Sequence, residues 1–173
     1  MEIPKIAQFE KVKFAQFEKD FKKNFASIYE ESVIKSIYTK IVLPKRATKG
    51  SAGYDFFLPM DLHLEAGESI RFPTGIRAKI DNGWVLSIFP RSSLGFAYRL
   101  QLDNTVGIID SDYYFSDNEG HILVQLTNDS RKNQILHIEQ TQAFMQGIFL
   151  AFGITREDAC QDVRNGGIGS TNR

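Results

Sequence analysis

From about residue 41 the chain is broken by glycine, proline, asparagine and aspartate too often for a helix of ordinary length to form, and between the breaks its apolar residues alternate. Ile70 and Phe72 are followed across Pro73 and Gly75 by Ile76, Ala78 and Ile80, and the pattern returns at Ile122, Val124 and Leu126. A period of two turns one set of side chains to a single face, so these runs are strands with one face in a core. The runs Trp84 to Phe89 and Gln146 to Phe152 are rich in aromatic and branched residues and bounded by turn formers, which makes them strands too. Many short strands with no interleaved helical period predict an all-β sandwich or jelly roll rather than a βαβ fold. The chain contains neither a G-x-x-x-x-G-K-[ST] loop nor a dinucleotide-binding G-x-G-x-x-G, so any phosphate site has to be built in another way.

With 173 residues, 42% of them apolar and 14 of them Phe, the chain can bury one core and is too short for two comfortable domains. Lys plus Arg and Asp plus Glu balance at 21 each, leaving no overall positive field to draw nucleic acid or anionic lipid, so neither partner is expected. The single cysteine, Cys160, cannot close an intrachain disulfide, and no Cys/His spacing suits zinc. No apolar run is long enough to cross a bilayer and the first 25 residues lack the apolar stretch of a secretion signal, so cytoplasmic residence, in a bacterium or a phage-infected cell, is expected.

The first 40 residues read differently. Ala7 to Phe14 (AQFEKVKF) is nearly repeated by Ala15 to Phe21 (AQFEKDF), and in the second copy Phe14, Phe17, Phe21 and Phe25 share one helical face. This predicts an amphipathic helix over about 15 to 25, docked on the main domain, with a second short helix over about 30 to 38. The alternative use of such helices is to bind a protein partner. The expected division is a short helical N-terminal extension over 1–40, a β core over 41–160 and a Gly-rich C-terminal lid over 161–173.

Five separated patches carry the chemistry: Ala52-Gly53-Tyr54-Asp55-Phe56, Pro90-Arg91-Ser92-Ser93-Leu94-Gly95, Asn104 to Tyr113 (NTVGIIDSDY), Gln146-Gly147-Ile148-Phe149, and Arg164 to Thr171 (RNGGIGST). In this order and at these separations they resemble the five motifs of the trimeric dUTPase family, over residues 44 to 171. The resemblance implies a jelly-roll-like β-barrel that hydrolyses dUTP to dUMP and pyrophosphate with Mg²⁺. It also implies a homotrimer with shared sites, in which one subunit supplies motifs one, two and four, a neighbour the third, and the remaining subunit the tail.

The residue types suit those roles. Asp110 matches the family's general base, and an ordinary aspartate is ionised at neutral pH and able to take a proton from a bound water. Asp112 is expected to hold the hairpin into which Asp110 and Tyr113 read. Asn104, with the backbone of Gly107 and Ile109, would form a hairpin that imitates a pairing partner for uracil, because an amide offers one donor and one acceptor side. Cytosine presents the opposite pattern, and a buried polar group left unpaired costs about 1–3 kcal/mol. Tyr113 matches the tyrosine that lies under the deoxyribose, where a flat ring excludes a 2′-hydroxyl. Arg91, Ser92 and Ser93 supply guanidinium, hydroxyl and N–H donors for a polyphosphate, Ser93 standing where the family usually has Gly. Gln146 adds a further phosphate donor, although Thr141 to Met145 departs from the commoner Gly-x-Arg form.

Asp55 matches the first-motif aspartate that organises Mg²⁺ and its waters, the metal being held mainly through substrate phosphates and waters. In the tail, Arg164 would reach the γ-phosphate, and Gly169 and Ser170 would add donors. Ile168 stands where the family has a Phe that stacks on uracil. Losing that stack removes about 0.5–1.5 kcal/mol, which predicts weaker closure and a higher Michaelis constant. Two other readings are a dCTP deaminase on a related fold, which calls for a glutamate in the third motif, and a regulatory protein acting through residues 1–40.

Overall fold

The computed structural model describes residues 2–25, 28–162 and 164. Its strands fall largely where the alternating pattern places them. β1 (Ala7–Lys11) is followed by helices α1 (Phe14–Asn24) and α2 (Glu31–Thr39), then by short strands β2 (Lys45–Arg46), β3 (Tyr54–Phe57) and β4 (Leu62–Leu64). The alternating segment forms β5 (Ser69–Pro73) and β6 (Ile76–Ile80), and the aromatic run forms β7 (Trp84–Pro90). After α3 (Ser92–Tyr98) come β8 (Leu100–Leu102), β9 (Gly107–Ile109), a 3₁₀ turn over Ser111–Phe115, β10 (Leu123–Asn128), β11 (Leu136–Ile138) and β12 (Ala143–Ala151).

All pairings are antiparallel. The largest sheet runs β2-β3-β12-β7-β9, with β12 at its centre because it is the longest strand and is flanked on both sides. Gly147 sits in β12 where a Cβ would lie 2.8 Å from Leu86 Cδ1 and 2.9 Å from Phe56 Cε2. The other sheets are β5-β10-β8, β4-β11 and β1-β6.

β5 and β6 are separated by only Thr74 and Gly75, yet they do not form a hairpin. β5 pairs with β10 and β6 with β1, so the chain turns a corner from one sheet to another at Pro73-Thr74-Gly75. Gly75 makes this possible, with φ at +77° and Ile41 Cδ1 only 2.2 Å from where a Cβ would stand. Thr74 closes the corner from inside, its hydroxyl donating to the Ile122 carbonyl at 2.8 Å.

The phenylalanine stripe of α1 is used as its spacing predicts. Phe17 and Phe21 are fully buried while Phe14 and Phe25 are half-buried at its ends, and α2 adds Ile34 and Ile37 to the same core. The core is continuous from these helices through Phe56, Phe72, Leu86 and Leu126 to Phe144. Residues 2–25 thus contribute both a strand and a helix to the body of the fold. Among the described residues no helix is long and apolar enough to cross a membrane.

Candidate active site

A cavity of about 460 Å³ opens where β8, β9, the 3₁₀ turn and β10 meet. Four residues expected at the base and sugar end line it, namely Asn104, Gly107, Ile109 and Tyr113, and Arg164 closes it from the C-terminal side. Asn104 and Gly107 do not belong to a hairpin as expected. β8 pairs with β10 whereas β9 pairs with β7, so the segment between them crosses from sheet to sheet. The crossing is a tight turn in which Thr105 adopts φ +68°, with Thr105 N–H donating to the Leu102 carbonyl and Val106 N–H to the Asn104 carbonyl, both at 2.7 Å. Polar residues between two apolar runs signal a turn equally well in either topology, which is why alternation alone does not separate the two.

Asp110 and Tyr113 do not form a hairpin either. Asp110 is the extended residue (φ −79°, ψ 158°) that precedes the 3₁₀ turn, and its side chain makes no capping bond to that turn. The carboxylate instead accepts from Arg164 Nη2 at 2.5 Å. Asp112, expected to hold the turn, also faces this guanidinium, with Arg164 Nε 3.1 Å from Asp112 Oδ1. Arg164 therefore lies between two carboxylates, its Cζ 5.8 Å from the centre of the Tyr113 ring. Asp110 keeps nearly half of its side chain exposed.

Tyr113 is buried, and its hydroxyl donates to the His121 carbonyl at 2.7 Å and accepts from Asn118 Nδ2 at 2.8 Å. Burial pushes the phenol up against the opposing effect of the Asn118 hydrogen bond, so the ring stays neutral. It presents a surface and holds its proton.

A second cavity, of about 200 Å³, gathers Gly53, Asp55, Arg91, Ser92 and Gln146 with Ala47 and Ser51. Sheet register brings them together, because Asp55 on β3 lies directly across from Gln146 on β12. Gly53 comes close enough to Gln146 that a Cβ would stand 3.0 Å from its Oε1. Arg91 ends β7 and leads into α3, and its Nε approaches Asp55 Oδ1 at 3.4 Å. Ser92 and Ser93 occupy the first turn of α3, where the backbone N–H groups have no partner within the helix and face outward as donors. Ser93 is exposed and is not part of the lining.

The oxygen donors here, the Asp55 carboxylate, the Gln146 amide and the Ser51 and Ser92 hydroxyls, suit a hard cation such as Mg²⁺. Among the described residues no three His, Cys, Asp or Glu side chains group as a metal cage. A Mg²⁺ ion that keeps most of its waters and meets phosphate oxygens needs no such cage.

Sequence reasoning missed Arg71, Asp103 and Gln125, which also line the larger cavity. They lie on or beside β5, β8 and β10, within the ordinary polar alternation of strands, and nothing in their spacing singles them out. Ile168, Gly169 and Ser170 lie outside the described residues. Among the described residues, the two cavities share no lining side chain.

The dUTPase family model matches residues 39–172. The chain belongs to the dUTPase family. It is 39% identical over 144 residues to the deoxyuridine 5′-triphosphate nucleotidohydrolase of Lactococcus lactis, a match covering 82% of this chain and 95% of that one. The enzyme of the same name from Glaesserella parasuis is 35% identical over 145 residues, 80% of this chain and 93% of the relative. Among solved structures, the dUTPase from Streptococcus mutans superposes with a TM-score of 0.61 at 33% identity, covering 85% of this chain and 97% of that one. The dUTPase of phage phi11 of S. aureus shares the fold at 18% identity, with a TM-score of 0.57 over 71% of this chain and 92% of the phage protein, and its structure is described with a structural Mg(II) ion. The β-rich dUTPase fold expected from the five motifs is thus the fold found.

Proposed function

We propose that this dUTPase-family chain hydrolyses dUTP to dUMP and pyrophosphate, using Asp110 to activate the attacking water. What carries the reading is that Asn104, Gly107, Ile109 and Tyr113 gather in one cavity and Asp55, Arg91, Ser92 and Gln146 in another, with Asp110 held by Arg164 beside the first. One has the Asn104 amide, an apolar floor and the buried Tyr113, as a base and sugar require, and is lined as well by Arg71, Asp103, Gln125 and Arg164. The other has a guanidinium, hydroxyls, an amide and a carboxylate, as a polyphosphate and its cation require.

In this reading the Asn104 amide pairs with the edge of uracil and the close backbone at Gly107 leaves no room for a 5-methyl group. Tyr113 stands against C2′. Arg91, Ser92 and Gln146 hold the phosphates, with the N–H groups at the start of α3. Asp110 takes one proton from water, the water oxygen bonds to the α-phosphorus, and the bond from that phosphorus to the bridging oxygen breaks, its electron pair leaving with pyrophosphate. Arg164, which occupies Asp110 and Asp112 without substrate, moves to the denser charge of the terminal phosphate and releases the base. When bound near Asp55, Mg²⁺ supplies neutralisation of the charge that builds on the leaving group.

Because the two cavities have no lining residue in common among the described residues, we read the working site as composite, formed in a homotrimer by the sugar cavity of one subunit and the phosphate cavity of another. The same reading takes the sheets as a jelly-roll-like barrel spanning 41–160 and the cytoplasm as its compartment; most of the expected lid over 161–173 lies outside the described residues. The test is pyrophosphate release from dUTP, dTTP, dCTP and UTP with Mg²⁺. Selective release from dUTP, reduced by about 10²–10⁴-fold in Asp110→Asn while nucleotide still binds, is expected. Unchanged turnover in that variant would remove Asp110 from the mechanism.

A further inference from the structure

Between Asp110 and β10 the chain runs through Ser111-Asp112-Tyr113-Tyr114-Phe115-Ser116-Asp117-Asn118-Glu119-Gly120-His121 with only a short 3₁₀ turn for regular structure. Such a segment cannot hold a ring in place by its own backbone ladder, so the position of Tyr113 depends on what the segment is tied to. Part of the answer is local. Gly120, at φ +70°, folds so tightly onto Tyr114 that a Cβ would stand 2.7 Å from the Tyr114 Cα. The rest comes from the N-terminal part of the chain, which lies outside the residues 39–172 matched by the family model.

Three N-terminal residues make polar contacts with this segment, and the Phe17 ring packs against His121. Glu10 on β1 accepts from the Tyr114 hydroxyl at 2.9 Å and from Arg77 Nη2 at 2.7 Å, while the Arg77 guanidinium lies 4.5 Å over the Tyr114 ring. Lys13, just before α1, donates its backbone N–H to the Glu119 carboxylate at 2.9 Å. Asp20 on α1 is 2.6 Å from His121 Nδ1 and also accepts from Gln16 Nε2 at 2.8 Å. The His121 tautomer follows from its other side: Gly75 N–H donates to Nε2 at 2.9 Å, so the ring proton sits on Nδ1 and points at Asp20. His121 is fully buried, and its own carbonyl is the acceptor for the Tyr113 hydroxyl.

We infer that Asp20 and His121 are positioning residues for Tyr113, so that α1 sets where the sugar-facing ring stands and thereby how strongly deoxyribose is preferred over ribose. The inference rests on the reading of Tyr113 as the wall at C2′. Glu10 and Tyr114 form a second, weaker tether on the same segment. A wall excludes a hydroxyl only if it stands within a fraction of an ångström of its place, which a loop tied to a helix by a buried imidazole–carboxylate hydrogen bond can guarantee and a free loop cannot. The N-terminal helix on this account works inward.

The experiment measures kcat/KM for dUTP and for UTP in the full-length protein, with Asp20→Ala, Asp20→Asn and the double variant Glu10→Gln with Tyr114→Phe. Asp20→Ala is expected to lower the dUTP-over-UTP ratio about tenfold or more. Asp20→Asn, which keeps an acceptor for Nδ1–H, is expected to retain most of it. A ratio unchanged in Asp20→Ala, with the wild type discriminating, overturns the inference and leaves α1 a purely structural element. If Asp20→Ala does not fold, the half-buried Glu10 and Tyr114 variant decides, a fall in the ratio supporting the tether and an unchanged ratio overturning it. A wild type that turns over UTP as readily as dUTP defeats the reading of Tyr113 itself, and the inference with it.

Discussion

Asp20 is a carboxylate with 8% of its surface exposed, and what keeps it there also fixes its protonation. Burial pushes its pKa up, but hydrogen bonds from His121 and Gln16 outweigh that and hold it below its ordinary value of 3.8. A carboxyl whose pKa is lowered by folding stabilises the native state at any pH above the unfolded value, and that stability disappears as the pH falls through the folded value. Wild type is therefore expected to lose stability as the pH drops below about 3.8, and Asp20→Asn to be less stable at pH 7 but to show a flatter acid limb, as urea midpoints across that range would reveal. Gly147 is a residue of the opposite kind, required for its lack of substance. Gly147→Ala pushes a methyl into Leu86 and Phe56 and is expected to destabilise by about 1–3 kcal/mol in denaturant unfolding.

At the scale of the element, the pentapeptide Ala-Gln-Phe-Glu-Lys occurs twice with two outcomes. Over Ala7–Lys11 it is strand β1, and over residues 15–19 it lies within helix α1. In the strand Phe9 meets Tyr54, Phe56 and Phe149, while in the helix Phe17 meets Phe21, Tyr38 and His121. The residues are the same, so the difference lies in the neighbours: β6 offers a free edge to the first copy, and Phe14, Phe21 and Phe25 extend the apolar stripe of the second. Phe17→Ala is expected to cost about 3–5 kcal/mol, seen as a lower unfolding midpoint, because a fully buried ring is lost from the centre of the core. Removing residues 1–40 is expected to do more damage still, exposing the β6 edge and the apolar surface under α1. Loss of a cooperative thermal transition in the truncated chain would be the signature.

At the scale of the whole molecule the separation of the two cavities carries the strongest prediction. If one subunit supplies Asp55 and another Asp110, neither Asp55→Asn nor Asp110→Asn has activity alone, but trimers refolded from an equal mixture contain sites built from two intact halves. Random assembly gives activity in about a quarter of the sites. Mixing that restores no pyrophosphate release would show that each chain carries its own complete site.

The sequence by itself determined the strands with clean alternation, the two N-terminal helices, and the family with its motif residues, because a period of two or 3.6 and a chemically specific string are local properties. Tertiary structure alone decided that β5 and β6 part into different sheets, that Asn104 and Asp110 sit on crossings rather than hairpins, and that the first AQFEK is a strand. It alone placed His121 between Asp20 and Tyr113. These depend on which distant edge, face or buried donor each segment meets, and free energy of that kind comes from contacts between residues far apart in the chain, as in the 101 positions separating Asp20 from His121.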